Sequence, residues 1–298
     1  GAICSTVPFR DWLPTRRFAR TQDRTASSYK VRPIDDATAS GLNPAAAAVE
    51  QMRMSGLDAL MDTAAYIAEQ FADWGEDATP LLAKGDHRQA YRQWAVHPAD
   101  ARLLVVLVWD DALGPAGGFK AFAHKALPFG AFAAVWSYTR ISASVTRPLQ
   151  RLFALPQCAY VDDFNRVNPR RFAAAQQWCF QEVHRMLGIP LKEEKDQGPS
   201  TVIELLGLEA VTAANWAGLQ LTQKRRQQLQ RDADEALRSA TLSMQDAARL
   251  GGQFNFATSA LFGRFGRVYA NAVAAHRGGW SQHLQQALEW WRAILRCP

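Results

Sequence analysis

The chain reads as an α+β protein with an appended helical domain, and three observations point there. Apolar runs of strand length alternate with helical stripes in the part that precedes Thr222. Gly- and Pro-rich turns punctuate those runs, most strongly at Gly114-Pro115-Ala116-Gly117-Gly118. From Thr222 onward only helical spacing remains, which predicts a helical tail on a mixed body.

The first forty residues are rich in Arg, Thr, Ser and Asp and predict loops with short strands. Arg10, Arg16, Arg17, Arg20 and Arg24 make this segment basic, and a solvated surface is the plain reading of them. Residues 45–74 predict a helix: Ser55 and Asp58 form a start like a capping box. Leu57, Leu60, Met61, Ala64, Ile67, Ala68 and Phe71 then recur at helical spacing as a core stripe. Residues 81–83 predict a strand leading into Gly85-Asp86, and residues 103–109 a β-branched strand. The glycine-rich turn and the alternation in residues 119–124 complete a β-hairpin. Residues 131–153 predict a helix broken at Pro148. A short strand follows at 157–161, then an amphipathic helix at 172–187 burying Phe172, Ala175, Cys179, Val183 and Met186, then a strand at 201–208. Thr222 and Ser243 are N-cap candidates for the helical tail.

Composition excludes several classes. In 298 residues, 34 Lys and Arg against 28 Asp and Glu leave a charge of +6, too mild a bias to name a partner. A hydrophobic fraction of 48% argues against disorder. Cys4, Cys158, Cys179 and Cys297 lack CxxC spacing, so neither a disulfide scaffold nor a cysteine zinc site is expected. No apolar run approaches the ~18–20 residues of a membrane helix. His97, His124, His184, His276 and His283 show no metal-ligand spacing and read as structural. Gly1 and the abrupt end at Cys297-Pro298 predict a piece of a longer polyprotein.

The chemistry concentrates in Tyr160-Val161-Asp162-Asp163. Two adjacent carboxylates at a strand end raise each other's pKa unless a cation joins them. A divalent metal with oxygen ligands, such as Mg²⁺, resolves the conflict, and a solvated Asp-Asp turn is the alternative. Asp86 ends another apolar strand. If the two strands are neighbours, three carboxylates converge, and such a set can hold two Mg²⁺ ions for phosphoryl or nucleotidyl transfer.

With these residues in view, the sequence resembles the polymerase domain of reverse transcriptases, especially those of retrotransposons. The resemblance spans residues 29–208 and continues weakly to about Gly266. Its parts occur in the family's order. Residues 30–36 with Ser40-Gly41-Leu42-Asn43 resemble the fingers motif, and residues 86–91, running on to Val96-His97-Pro98, the first catalytic motif. Leu127-Pro128-Phe129-Gly130 resembles the substrate-pocket motif, and Tyr160-Val161-Asp162-Asp163 is the family's signature as it stands. Residues 192–195 resemble the lysine-bearing motif, residues 204–208 the primer-grip hairpin, and residues 250–257 a helical segment beyond the thumb. The chain departs from the family at Val135, where relatives carry proline, and at Asn165 and Arg166, which are polar for a returning strand.

The resemblance implies a right-hand polymerase. Residues 1–60 and 94–131 would form the fingers, 61–93 and 132–213 a palm with an antiparallel sheet backed by helices, and 214–298 a helical thumb or connection. It implies Asp86, Asp162 and Asp163 as ligands of two Mg²⁺ ions, for which Mn²⁺ could substitute, with the His87 carbonyl as a possible further ligand. Tyr91 would lie under the sugar and exclude a 2′-hydroxyl, while Arg32, with Lys30 in support, would contact the triphosphate. Phe129 and Gly130 would line the nucleotide pocket. Lys195 would protonate the leaving pyrophosphate, with Lys192 as competitor. The expected function is an RNA-directed DNA polymerase taking an RNA template, a DNA primer and deoxynucleoside triphosphates, intracellular and not on a membrane. A catalytically inactive fragment that binds nucleic acid or a protein partner is the alternative. An RNA polymerase of similar palm is disfavoured by Tyr91. No RNase H, protease or integrase pattern is visible.

Overall fold

A computed structural model of the chain describes residues 2–5, 7, 10–25, 28–47, 56–113, 117–261 and 264–297. It opens with strands β1 (Ala2–Ser5), β2 (Pro14–Thr25) and β3 (Ser28–Asp35). Loops with short strands were expected here, yet β2 runs for 12 residues. Its partners supply what its polar sequence hides. Pro14, Thr15 and Arg16 pair in parallel with Val105, Val106 and Leu107, and Arg17 lies opposite Asp35 on β3. Cross-strand pairs of this kind stabilise a strand that has no apolar alternation of its own.

A single turn, α1 (Leu42–Ala45), precedes α2 (Leu57–Gln70). The helix expected from residue 45 therefore starts later, because Ala46 is extended. The Ser55 cap lies outside the described residues. The buried stripe is the expected one, through Leu57, Leu60, Met61, Ala64, Ile67 and Ala68.

Next come β4 (Pro80–Asp86), then β5 (Val105–Asp110) and β6 (Gly118–Ala123), which form the expected hairpin with Val105 opposite Ala123. Helix α3 (Phe132–Phe153) continues through Pro148 instead of breaking there. Proline frees the carbonyl four residues earlier, and both Ser144 and Pro148 are exposed, so water can satisfy it.

Strands β7 (Gln157–Tyr160) and β8 (Asp163–Pro169) flank the Val161-Asp162 turn. Asn165 and Arg166 on β8 are wholly buried despite their polarity, and Arg166 donates to Gln177 Oε1 at 2.6 Å. In α4 (Arg170–Met186) the buried stripe is displaced by one residue from the expected face. Ala173, Gln176, Phe180 and His184 are buried, while Phe172 is 46% and Met186 72% exposed. Gln176 and His184 find hydrogen-bond partners inside, which an apolar count cannot register.

After β9 (Gln197–Ser200), β10 (Val202–Leu205) and β11 (Leu208–Ala213) form a hairpin, and β12 (Trp216–Leu221) pairs with β11. The strand expected at 201–208 is thus interrupted at Leu206-Gly207, where both residues have positive φ. The helical tail comprises α5 (Gln223–Ser239), α6 (Met244–Ala257), α7 (Arg267–Ala274) and α8 (Gln282–Arg296). Thr222 and Ser243 cap α5 and α6 as expected.

Contacts divide the chain into two compact units. The first comprises Gly1–Gly56, Gly85–Asn165 and Trp178–Asp196. It holds a five-stranded sheet of order β1-β6-β5-β2-β3 and two small cores, one around Tyr91 and Tyr138, the other around Leu149, Phe164 and Phe180. The second comprises Leu57–Lys84, Arg166–Gln177 and Gln197–Pro298. There α2 packs on β12, and the helical tail closes around Leu250, Phe254, Leu288 and Trp291. Phe254 and Trp291 stack at 4.4 Å. The acid-bearing ends of β4, β7 and β8, with Asp86, Asp162 and Asp163, all belong to the first unit.

Candidate active site

Every site residue described below belongs to the first unit. Asp86 closes β4 and is 3% exposed. Its carbonyl accepts the Lys192 N–H at 2.8 Å, and its carboxylate receives the Lys195 ammonium. That hydrogen bond holds the Lys195 ammonium above its usual pKa, with smaller help from Asp163 and Asp162. Lys192 instead directs its ammonium to Glu194 at 3.6 Å. The structure thus brings Lys195, and not Lys192, to the carboxylate.

Asp162 sits in the turn between β7 and β8. Burial pushes its carboxyl above the usual range, and the charges of Asp86 and Asp163 add to the shift. This is the electrostatic signature of acids gathered at one place. Val161, just before, has φ of 58°, a left-handed conformation that strains a β-branched residue by about 1–3 kcal/mol. Ser142 of α3 donates to the Val161 carbonyl at 2.6 Å and holds the turn in this shape.

Tyr91 lies in a short helical turn after Asp86 and is 7% exposed. Its ring stacks on Tyr138 of α3 at 4.8 Å and 24°, and meets Phe129 at 4.9 Å. Burial, with Asp162 adding, pushes the Tyr91 hydroxyl up to about 12. Gly130 has φ of 100°, and a Cβ there would stand 2.3 Å from the Asp35 carbonyl oxygen, so only glycine fits. Asn43 donates to the Gly130 carbonyl at 3.0 Å and accepts the Phe132 N–H at 2.7 Å, which caps α3 from outside the helix. Asp35 itself is buried, and burial alone would raise its carboxyl. Hydrogen bonds from His124 and Arg17 outweigh this and bring it down to about 2.

Behind Asp86 the His87 side chain is buried, and the structure gives it partners that the sequence did not suggest. Tyr138 Oη lies 2.6 Å from His87 Nδ1, His87 Nε2 lies 3.1 Å from His184 Nε2, and His184 Nδ1 lies 2.7 Å from the Phe180 carbonyl. Burial, with His184 adding, pushes the His87 imidazole down to about 3, so it is neutral near pH 7. The only advance signals were Tyr138 and Ser142 four residues apart on a helix, and a histidine beside the candidate ligand. The His87 carbonyl accepts the Ala90 N–H at 3.3 Å.

Seven of the nine expected site residues therefore fall within one neighbourhood: Asp86, Asp162, Asp163, Lys195, Tyr91, Phe129 and Gly130. Lys30 and Arg32 belong to β3, and their side chains lie outside the described residues. Among the described residues no three His, Cys, Asp or Glu side chains close into a preformed metal cage. The donor set still suits a hard divalent cation. It consists of carboxylate oxygens, and Asp162 is raised first by burial and then by the charges of Asp86 and Asp163, the part that a bound cation would relieve. In the second unit, a groove of roughly 680 Å³ is lined by Lys224, Arg225, Arg231 and Arg249, with Gly207 and Gly252 among its walls. No helix among the described residues is long and apolar enough to cross a membrane.

No family model matches the sequence, and no curated protein does. Solved structures do match in fold. A foamy viral protease-reverse transcriptase in complex with double-stranded DNA superposes with a TM-score of 0.63 at 13% identity, over 95% of this chain and 43% of that one. Another, in complex with an RNA/DNA hybrid, gives 0.59 at 12% identity, over 95% and 33%. A third, with double-stranded DNA, gives 0.58 at 11% identity, over 93% and 51%. The chain thus spans about half or less of each of those proteins. Together with the α+β architecture, these matches give the chain a reverse-transcriptase-like fold.

Proposed function

We propose that the chain is an RNA-directed DNA polymerase, a nucleotidyltransferase that extends a DNA primer on an RNA template with deoxynucleoside triphosphates. The observation that carries this reading is the Lys195 ammonium on the buried Asp86 carboxylate, close to the Asp162-Asp163 turn, in a reverse-transcriptase-like fold. Asp86, Asp162 and Asp163 would hold two Mg²⁺ ions, or Mn²⁺ in their place. When bound, the ions would lower the pKa of the primer hydroxyl and neutralise the triphosphate.

The protein groups have distinct tasks. The primer's 3′-hydroxyl would lose its proton to solvent as its oxygen forms a bond to the α-phosphorus, while the bond from that phosphorus to the bridging oxygen breaks and pyrophosphate leaves. Lys195, whose ammonium stands at Asp86, would give that leaving group a proton. Tyr91, whose buried ring meets Phe129, would exclude a ribose 2′-hydroxyl, and Phe129 and Gly130 would line the nucleotide pocket. Lys30 and Arg32 would bind the triphosphate. The basic groove of the second unit suits a nucleic-acid backbone, so binding should weaken as salt rises. A retrotransposon-type source is proposed on Phe129, since retrotransposon enzymes often carry Phe at this place in the pocket motif.

One assay tests the reading. The 298-residue chain with Mg²⁺ and a primed RNA template should extend the primer with deoxynucleotides, and Asp162→Asn should not. Equal extension by the two proteins would remove Asp162 from the site. The alternative is a catalytically inactive fragment that binds nucleic acid or a protein partner. It would be adopted if the parent bound primed template but extended nothing with either Mg²⁺ or Mn²⁺.

A further inference from the structure

The Tyr91 ring has two aromatic neighbours of different character. Phe129 is 47% exposed and meets it at a tilt of 53°, whereas Tyr138 is fully buried and stacks on it at 24°. Tyr138 is also the end of a hydrogen-bonded chain whose proton order can be deduced. The Phe180 carbonyl can only accept, so His184 Nδ1 carries a proton, and in the neutral ring its Nε2 is a lone pair. His87 Nε2 must then donate to His184, which leaves His87 Nδ1 as the acceptor for the Tyr138 hydroxyl. Each member has one orientation, so the Tyr138 ring is fixed both along its stack and in its own plane. Four residues on, Ser142 of the same helix holds the Val161 carbonyl beside Asp162. One helix therefore fixes the support of Tyr91 and the turn that carries the acid.

We propose that Tyr138, anchored through His87 and His184, is a specificity-determining positioning residue that holds Tyr91 against the sugar of the incoming nucleotide and so sharpens rejection of ribonucleotides. The inference rests on the polymerase reading above. A Tyr91 ring free to tilt away would admit a 2′-hydroxyl while leaving the acids in place. Tyr138 would act through Tyr91, without touching the nucleotide.

The test compares single-nucleotide incorporation of a deoxynucleotide and the matching ribonucleotide by the full chain and by Tyr138→Phe and Tyr138→Leu, on a primed RNA template with Mg²⁺. Tyr138→Phe keeps the ring and loses the anchor. It should lower the deoxy-to-ribo ratio of kcat/KM about fivefold, the worth of one buried hydrogen bond. Tyr138→Leu, which also loses the stack, should lower it further. Imidazole ¹⁵N shifts should show His87 protonated at Nε2 in the parent and altered in Tyr138→Phe, which reads the chain without any activity. General loosening would slow both nucleotides alike and leave the ratio untouched. If the parent discriminates and both folded variants keep its ratio, the inference falls while the polymerase reading stands. If the parent extends nothing, the polymerase reading falls and the inference with it.

Discussion

The ammonium of Lys195 lies against the carboxylate of Asp86, although 109 positions separate them in sequence. The contact is local in space because the Lys192 N–H bonds to the Asp86 carbonyl at 2.8 Å and brings the lysine-bearing turn alongside the end of β4. A cation so placed neutralises part of the acid cluster, and in the proposed reaction it would serve as the proton donor.

Replacing Lys195 with Met should therefore do two things. Loss of a general acid typically slows chemistry by 10²–10⁴-fold, so single-turnover nucleotide addition should fall by about that factor. Nucleotide binding, measured separately, should change less. A variant that adds nucleotides at the parent's rate would assign the proton to another group.

Asp162→Asn should trade activity for stability. The Asp162 carboxyl is held above its ordinary pKa, so its ionised form opposes folding. The folded-state value lies above the unfolded one, hence the penalty appears as pH rises through the unfolded value and is complete above the folded one. At pH 7 the metal-free Asn variant should melt higher than the parent, and the difference should shrink in acid. Calorimetry at both pH values checks this, and a variant that melts lower at pH 7 would contradict it.

Asp35 carries the opposite sign. His124 and Arg17 bring its carboxyl down from 3.8 to about 2, so its ionised form favours folding. That contribution is present above the unfolded value and is lost as pH falls through the folded one, between about 4 and about 2. Denaturant midpoints taken across that window should fall for the parent and fall less steeply for Asp35→Asn.

Gly130→Ala should disturb the turn before α3 directly. The added methyl group meets the Asp35 carbonyl oxygen at 2.3 Å on a backbone with φ of 100°. The substitution should destabilise by more than about 1 kcal/mol, because neither the φ nor the space suits an L side chain. Urea unfolding measures the loss, and raised KM for deoxynucleotides should accompany it.

Much of the site could be read in the sequence because its parts are short and contiguous. Tyr160-Val161-Asp162-Asp163 and the strand ending at Asp86 each announce themselves by an apolar run that ends in acid. The caps at Thr222 and Ser243 and the stripe of α2 were legible for a similar reason, being local chemistry. What stayed hidden depends on partners distant in the chain. Polar β2 becomes a long strand only through β3 and β5. The buried face of α4 was misplaced by one residue because Gln176 and His184 are satisfied inside, where hydrophobicity alone would not put them. The support of Tyr91 escaped because its links, from Tyr138 to His87 and from His87 to His184, span 51 and 97 positions.

The cap on α3 bears on how the chain folds. Asn43 binds residues that lie 87 and 89 positions downstream, so the first turn of that helix is incomplete until the early segment docks. Contacts of such separation carry a loop-closure penalty before they return any stabilisation. The helix that supports Tyr91 and the acid turn is therefore expected to complete its first turn only once the fold has closed on its own beginning.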